Sequence, residues 1–228
     1  NEIRGNDGND TVVAGRGNDI LVIGNGTNDI AGGVGNDTYI FSDPGSVSTT
    51  TLREDAGTIG NGALSPGGRD TIDLTALTTV VSFSLAVSVN PLTDHTVNLQ
   101  DTGGSATAEH FEDLLGSSSA INTLTGNEAD NLLAGGQADD TLNGGAEGNN
   151  ILLGLLGNDT LVALTGRDLL IGGMRSPPFV FQDGTYLLVV LIVFAGSGGE
   201  LPIPVRRAGL WGAVARFTRC RSVFCAIR

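Results

Sequence analysis

From Gly5 the chain divides into nines without a gap: GNDGNDTVV (5–13), AGRGNDILV (14–22), IGNGTNDIA (23–31) and GGVGNDTYI (32–40). Position 4 is always Gly (Gly8, Gly17, Gly26, Gly35), position 6 is Asp10, Asp19, Asn28 and Asp37, and position 8 is Val12, Leu21, Ile30 and Tyr39. In the third unit an acid, Asp29, follows one place late. Six residues of loop and three of strand leave no room for a helix. One apolar residue per nine cannot bury itself, so each unit needs others above and below it. Run backwards, the frame puts Asn1 at position 6 and Ile3 at position 8, so the chain is expected to begin inside a repeat.

A second array follows: SSSAINTLT (117–125), GNEADNLLA (126–134), GGQADDTLN (135–143), then one extra residue, Gly144, then GAEGNNILL (145–153), GLLGNDTLV (154–162) and ALTGRDLLI (163–171). Position 8 is Leu124, Leu133, Leu142, Leu152, Leu161 and Leu170, and position 6 is Asn122, Asn131, Asp140, Asn150, Asp159 and Asp168.

The charge follows the arrays. Residues 1–173 hold 23 acids against 5 Arg, a net of −18, and residues 174–228 hold 2 acids against 7 Arg, a net of +5, together the −13 of the 228-residue chain. Such a surface repels nucleic acid and anionic membranes and favours cations. The composition boundary falls near residue 174. Both cysteines, Cys220 and Cys225, lie beyond it, so neither a disulfide framework nor a thiolate metal site is available to the arrays.

These nonapeptides resemble the RTX family, the haemolysin-type calcium-binding repeats written G-G-x-G-x-D-x-U-x. The resemblance covers roughly residues 1–41 and 112–173, and the second array departs from the pattern by placing Asn at three of six position-6 sites. It implies an all-β chain: a right-handed parallel β-roll (β-solenoid) with two nonapeptides per turn, so that units i and i+2 stack on one side. Stacked carboxylates about 5 Å apart repel by roughly 1 kcal/mol in water and about 3 at an effective dielectric near 20. A cation relieves that repulsion, and Ca²⁺, which takes 6–8 oxygens including backbone carbonyls, fits glycine loops better than Mg²⁺.

Several Ca²⁺ ions are therefore expected. Asp19 pairs with Asp37, completed by carbonyls of Gly15, Gly17, Gly33 and Gly35. Asp10 pairs with Asn28 or Asp29. Asp140 pairs with Asp159 across Gly144, with Gly157 in the same loop, and Asn150 pairs with Asp168. Asp7, Asp43, Glu54, Asp55, Glu109, Glu112 and Asp113 fall outside the column and are read as solvated acids.

Other chemistries find no support in the residues. Asp7-Gly8, Asn25-Gly26 and Asn143-Gly144 are hairpin signals, but a meander needs longer strands and no acid at fixed phase. A phosphate-binding Walker loop needs Lys, and the chain has none. Neither H-E-x-x-H nor G-x-S-x-G occurs, so a non-catalytic chain is expected.

Four segments follow: a roll over 1–41, a β-rich insert over 42–111, a second, degenerate roll over 112–173, and a poorly defined, Arg-rich tail over 174–228. In the insert, 46–68 reads as loop, GGRDTIDL (67–74) as loop then strand with Ile72 and Leu74 inward, VVSFSLAVSVN (80–90) as one alternating strand, and TVNL (96–99) as another. The insert either continues the solenoid without metal loops or links two rolls. In the tail, YLLVVLIVFAG (186–196) is too short for a membrane span. The tail reads either as a divergent secretion signal or as a non-native end, the latter favoured by its Arg and Cys content.

By resemblance the chain is a calcium-binding module of a secreted bacterial protein. It would pass a type I exporter unfolded, fold outside the cell, and serve a large surface or adhesive protein with an unknown surface or matrix partner. The alternative is the C-terminal roll of a secreted enzyme or pore-forming toxin whose catalytic part lies upstream.

Overall fold

The computed structural model describes residues 1–42, 48–53, 68–93, 95–100 and 111–173, and, as short strand segments, 179–181, 190–191, 205–207 and 225–226. Among them there is no helix. The strands are β1 (Glu2–Arg4), β2 (Thr11–Arg16), β3 (Ile20–Ile23), β4 (Thr27–Val34), β5 (Thr38–Phe41), β6 (Ser48–Arg53), β7 (Thr71–Asp73), β8 (Val81–Ser84) and β9 (Val89–Pro91). They continue with β10 (His95–Gln100), β11 (Asp113–Leu115), β12 (Asn122–Thr125), β13 (Leu132–Gly136), β14 (Thr141–Asn143), β15 (Ile151–Leu155), β16 (Thr160–Ala163), β17 (Leu169–Ile171) and β18 (Phe179–Phe181).

The strands form a β-solenoid of about 7 turns. One sheet runs unbroken through β1-β3-β5-β7-β11-β13-β15-β17, and every pairing in it is parallel. The position-8 residues stack along it: Ile3 on Leu21, Leu21 on Tyr39, Tyr39 on Ile72, Ile72 on Leu114, then Leu133, Leu152 and Leu170. The opposite face is split. The run β2-β4-β6-β10 ends at the antiparallel β9, and β8 starts the run β8-β12-β14-β16-β18. Its inward columns are Val12, Ile30, Leu52 and Leu99, then Phe83, Leu124, Leu142 and Leu161. These columns meet in one hydrophobic core, from Leu21 to Leu170, against which Ile3 and Val12 pack half-buried.

The insert belongs to this stack. β7 lies between β5 and β11, and β11 passes the sheet on to β13, so the first alternative, a continued solenoid, describes the pairing. Tyr39 marks the junction: it is fully buried and meets Phe111 edge-on at 5.6 Å.

Three local expectations need correction. Within the 46–68 loop, Ser48–Arg53 is a strand that pairs with β4 and β10. Its inward residues are Ser48, Thr50 and Leu52, so two of three core positions are polar and the apolar alternation is hidden. The supposed strand 80–90 breaks after Ser84. Val81, Phe83 and Leu85 are buried, but Val87 and Val89 are 44% and 53% exposed. The Asn90 side chain folds the break: its Oδ1 accepts the Ser84 N–H and its Nδ2 donates to the Ser84 carbonyl. Finally, Gly144 is not the extra residue. Its N–H donates to Val162 O as Gly5 N–H does to Val22 O, so Gly144 takes position 1 and the surplus residue lies later in the loop. Gly116 likewise takes position 1 of its turn, donating to Ala134 O.

The readings made for 174–228, apart from the short segments, and for 43–47, 54–67 and 101–110 lie outside the described residues. Among the described residues, no helix is long and apolar enough to cross a membrane.

Candidate metal centre

Each turn reaches its strand through the position-6 side chain. One oxygen of that side chain accepts the backbone N–H of the position-6 residue one turn earlier. Asp37 Oδ1 accepts from Asp19 N at 2.8 Å, Asp159 Oδ1 from Asp140 N at 3.0 Å, Asp168 Oδ1 from Asn150 N at 2.8 Å, and Asn28 Oδ1 from Asp10 N at 3.1 Å. All four expected pairs therefore adjoin, and Asn28, not Asp29, is the partner of Asp10. Asp29 is bound instead to the Arg53 guanidinium.

The second side-chain atom separates Asp from Asn. The Oδ2 atoms of Asp10, Asp19, Asp37, Asp159 and Asp168 are buried without a hydrogen-bond partner among the described residues. At Asn turns the amide nitrogen closes the loop itself: Asn28 Nδ2 donates to Gly24 O at 3.0 Å, Asn122 Nδ2 to Ser117 O at 3.0 Å, and Asn150 Nδ2 to Glu147 O at 3.1 Å. Asp140 is the exception among the acids, because its Oδ2 accepts the Gly136 N–H at 2.6 Å. A buried polar atom with no partner carries a desolvation cost of about 1–3 kcal/mol, more when charged. The Asp turns are thus left needing a positive partner that the Asn turns do without.

Backbone oxygens border the same loops. Gly35 has φ +136°, and a Cβ there would lie 2.4 Å from Gly17 O, so the Gly17 carbonyl faces the next loop and only glycine stacks on it. Gly15 O faces Gly33 in the same manner, and Gly157 sits over the Ala138 carbonyl.

Two features escaped the sequence reading. Position 5 forms a second ladder in the opposite direction, its side chain accepting from the turn above: Asn18 Oδ1 from Asn36 N at 2.9 Å, Asp130 Oδ1 from Asn149 N at 2.7 Å, and Asp139 Oδ1 from Asn158 N at 2.7 Å. The recurrence of Asn or Asp before position 6 was the available signal. The other is Asp70, 3% exposed, whose Oδ1 accepts the Asp37 N–H at 2.7 Å. Gly68, Asp70 and Ile72 keep positions 4, 6 and 8 of the repeat.

Burial raises Asp37, Asp140 and Asp168 above the ordinary carboxylate range, and Asp70 and Asp159 up to about 7. The N–H groups of Asp37 and Asp140 oppose the rise at Asp70 and Asp159, while neighbouring carboxylates, Glu112 foremost at Asp70 and Asp140 at Asp159, add to it.

The family model for the RTX calcium-binding nonapeptide repeat, in four copies, matches residues 4–39, 117–147 and 145–174. The two arrays are RTX calcium-binding repeats. No curated protein matches the chain. The RTX loops fit a hard divalent cation: their side-chain donors are oxygens, and the unpartnered Oδ2 atoms are buried beside them. Among the described residues no three His, Cys, Asp or Glu side chains converge on one point. A bound ion would draw on a stacked pair of carboxylates, as from Asp19 and Asp37, and fill its shell with carbonyls. In this chain Gly15, Gly17, Gly33 and Gly35 are the residues placed to supply them. A bound Ca²⁺ would supply charge compensation for the buried carboxylates.

Proposed function

We propose that the chain is a non-catalytic, calcium-gated folding module of a secreted bacterial protein. Without calcium, the stacked Asp turns hold buried carboxylate oxygens that nothing satisfies, and this is the observation that carries the reading. Metal binding is then folding free energy. Such a chain stays unfolded in a low-calcium cytosol, passes a type I exporter, and folds outside the cell.

The long unbroken sheet favours a structural or adhesive role in a large surface protein, since a rod serves as spacer or scaffold. The C-terminal roll of an enzyme or toxin is the second reading. A zinc-protease helix or hydrolase elbow encoded just before Asn1 would decide for it.

Far-UV circular dichroism across a calcium titration tests the switch. The expected outcome is a weakly structured chain in chelator that becomes β-rich at millimolar Ca²⁺. An unchanged spectrum sinks the proposal. Asp19→Ala and Asp37→Ala should each shift the calcium midpoint more than Asn122→Ala, and equal shifts would count against the Asp pairing.

A further inference from the structure

Three Asn-Gly pairs stand in the chain: Asn25-Gly26, Asn61-Gly62 and Asn143-Gly144. Asn61-Gly62 lies outside the described residues. Neither of the others closes a hairpin, because the strands on either side of each belong to different sheets. Asn143 ends β14, in register with Thr125 on one side and Val162 on the other, and Gly144 opens the next loop.

Asn-Gly is a step at which a polypeptide can modify itself. The Gly nitrogen, having given its proton to water, attacks Cγ of the Asn side chain. The Cγ–Nδ2 bond breaks, ammonia leaves with the proton, and a five-membered succinimide closes. Water then opens the ring at either carbonyl, giving Asp or isoaspartate. The balance is amide and water to carboxylic acid and ammonia, with no cofactor. Gly favours the attack because no Cβ obstructs it.

The folded turn withholds each reacting group of Asn143-Gly144. The Gly144 N–H donates to Val162 O at 3.0 Å. Asn143 Oδ1 accepts the Gly145 N–H at 3.1 Å, which holds the carboxamide over the following turn. Ring closure would also swing this peptide out of the extended conformation that β14 keeps between β12 and β16. The fold requires the Gly, since a Cβ on Gly144 would lie 2.8 Å from Asn150 Nδ2. It does not require the Asn, since Thr125 and Val162 fill the same column. The peptide also carries two rungs of the stack. Asn143 O accepts the Gly126 N–H at 2.9 Å from one neighbouring turn, while Gly144 N–H donates to the other. Isoaspartate routes the main chain through Cγ and lengthens it by one carbon, so both rungs cannot stay in register.

We propose that Asn143-Gly144 is a self-deamidation site governed by folding. It is shut in the folded solenoid and open whenever the second array is unfolded. Conversion to isoaspartate then blocks that array from refolding, so the site is a one-way record of time spent unfolded. The inference rests on the calcium-gated reading for its trigger alone, because the protection comes from the fold.

The test holds the full chain at neutral pH in saturating Ca²⁺, in chelator, and in chelator with urea. Peptide mass spectrometry follows conversion at Asn143. Conversion is expected in urea and in chelator, and is expected to be slower by roughly tenfold or more in Ca²⁺. After ageing in chelator, Ca²⁺ is restored and circular dichroism reads the β-signal. Wild type is expected to regain less than fresh chain, by a shortfall that follows the isoaspartate fraction. Asn143→Thr, aged identically, is expected to regain more than wild type. Equal rates in Ca²⁺ and in urea overturn the protection. No conversion in urea overturns the site. An equal shortfall in wild type and Asn143→Thr overturns the block to refolding. Conversion that is fast in urea but as slow in chelator as in Ca²⁺ upholds the site and overturns calcium-gated folding instead.

Discussion

At the residue scale, the choice between Asp and Asn at position 6 divides turns that need a cation from turns that close themselves. The amide of Asn122 donates to the Ser117 and Ala120 carbonyls, whereas Asp159 Oδ2 has no partner among the described residues in the equivalent place. Asp159→Asn should therefore lose calcium yet hold more β-structure in chelator than wild type, the closed loop contributing about 1–2 kcal/mol. Far-UV circular dichroism in chelator checks it, and less β-structure than wild type would contradict the self-closing role. Leu155 is a second residue-scale case. It occupies position 2, where φ is +72°, and its side chain is 46% exposed. A side chain in that region costs about 1–2 kcal/mol, more than the added backbone freedom of Gly, so Leu155→Gly should raise the melting temperature in saturating calcium. A fall in that temperature would show that Leu155 packs better than its backbone suggests.

At the element scale, β6 is instructive. Among the described residues, the buried Ser48 and Thr50 hydroxyls have no hydrogen-bond partner. Thr50→Val, nearly the same shape, should hold or raise stability by up to about 1 kcal/mol, read from denaturant unfolding in calcium. A loss larger than that would mean the hydroxyl does have a partner. The same strand shows why part of the fold was hidden in the sequence. Where the inward residue was Leu or Ile at a period of nine, the strand, its partner and its phase were all legible. Where it was Ser or Thr, the strand looked like loop. In 80–90 the error ran the other way, because alternation of Val87 and Val89 persisted through a turn held by Asn90. Asp70 was missed because only half of its loop motif survives and its spacing is 33 residues. The position-5 ladder was missed because hydrogen bonds to a backbone N–H leave no hydrophobic trace, and the repeat pattern leaves that position variable.

At the scale of the whole molecule, the buried acids make stability respond to pH in an unusual direction. Asp70 and Asp159 rise from 3.8 to about 7 in the fold. Between those values the folded chain holds protons that the unfolded chain has released. The calcium-free solenoid is therefore most stable below about pH 4 with respect to these two groups, and loses that contribution as pH rises through 7. In chelator the β-signal should grow from pH 8 to pH 5.5, while the calcium midpoint moves to higher concentration because protons compete for the same oxygens. A β-signal in chelator that shrinks over that range would show that other groups dominate.

The register of the long sheet has a consequence for how such a rod is measured. Asp19 to Asp37 spans 18 residues, Asp37 to Asp70 spans 33 and Asp70 to Glu112 spans 42, yet each interval advances the stack by one strand spacing, about 4.8 Å. Height is counted in turns and not in residues. Chain can be added between these turns without lengthening the stack, because each interval advances it by one strand spacing whatever its length.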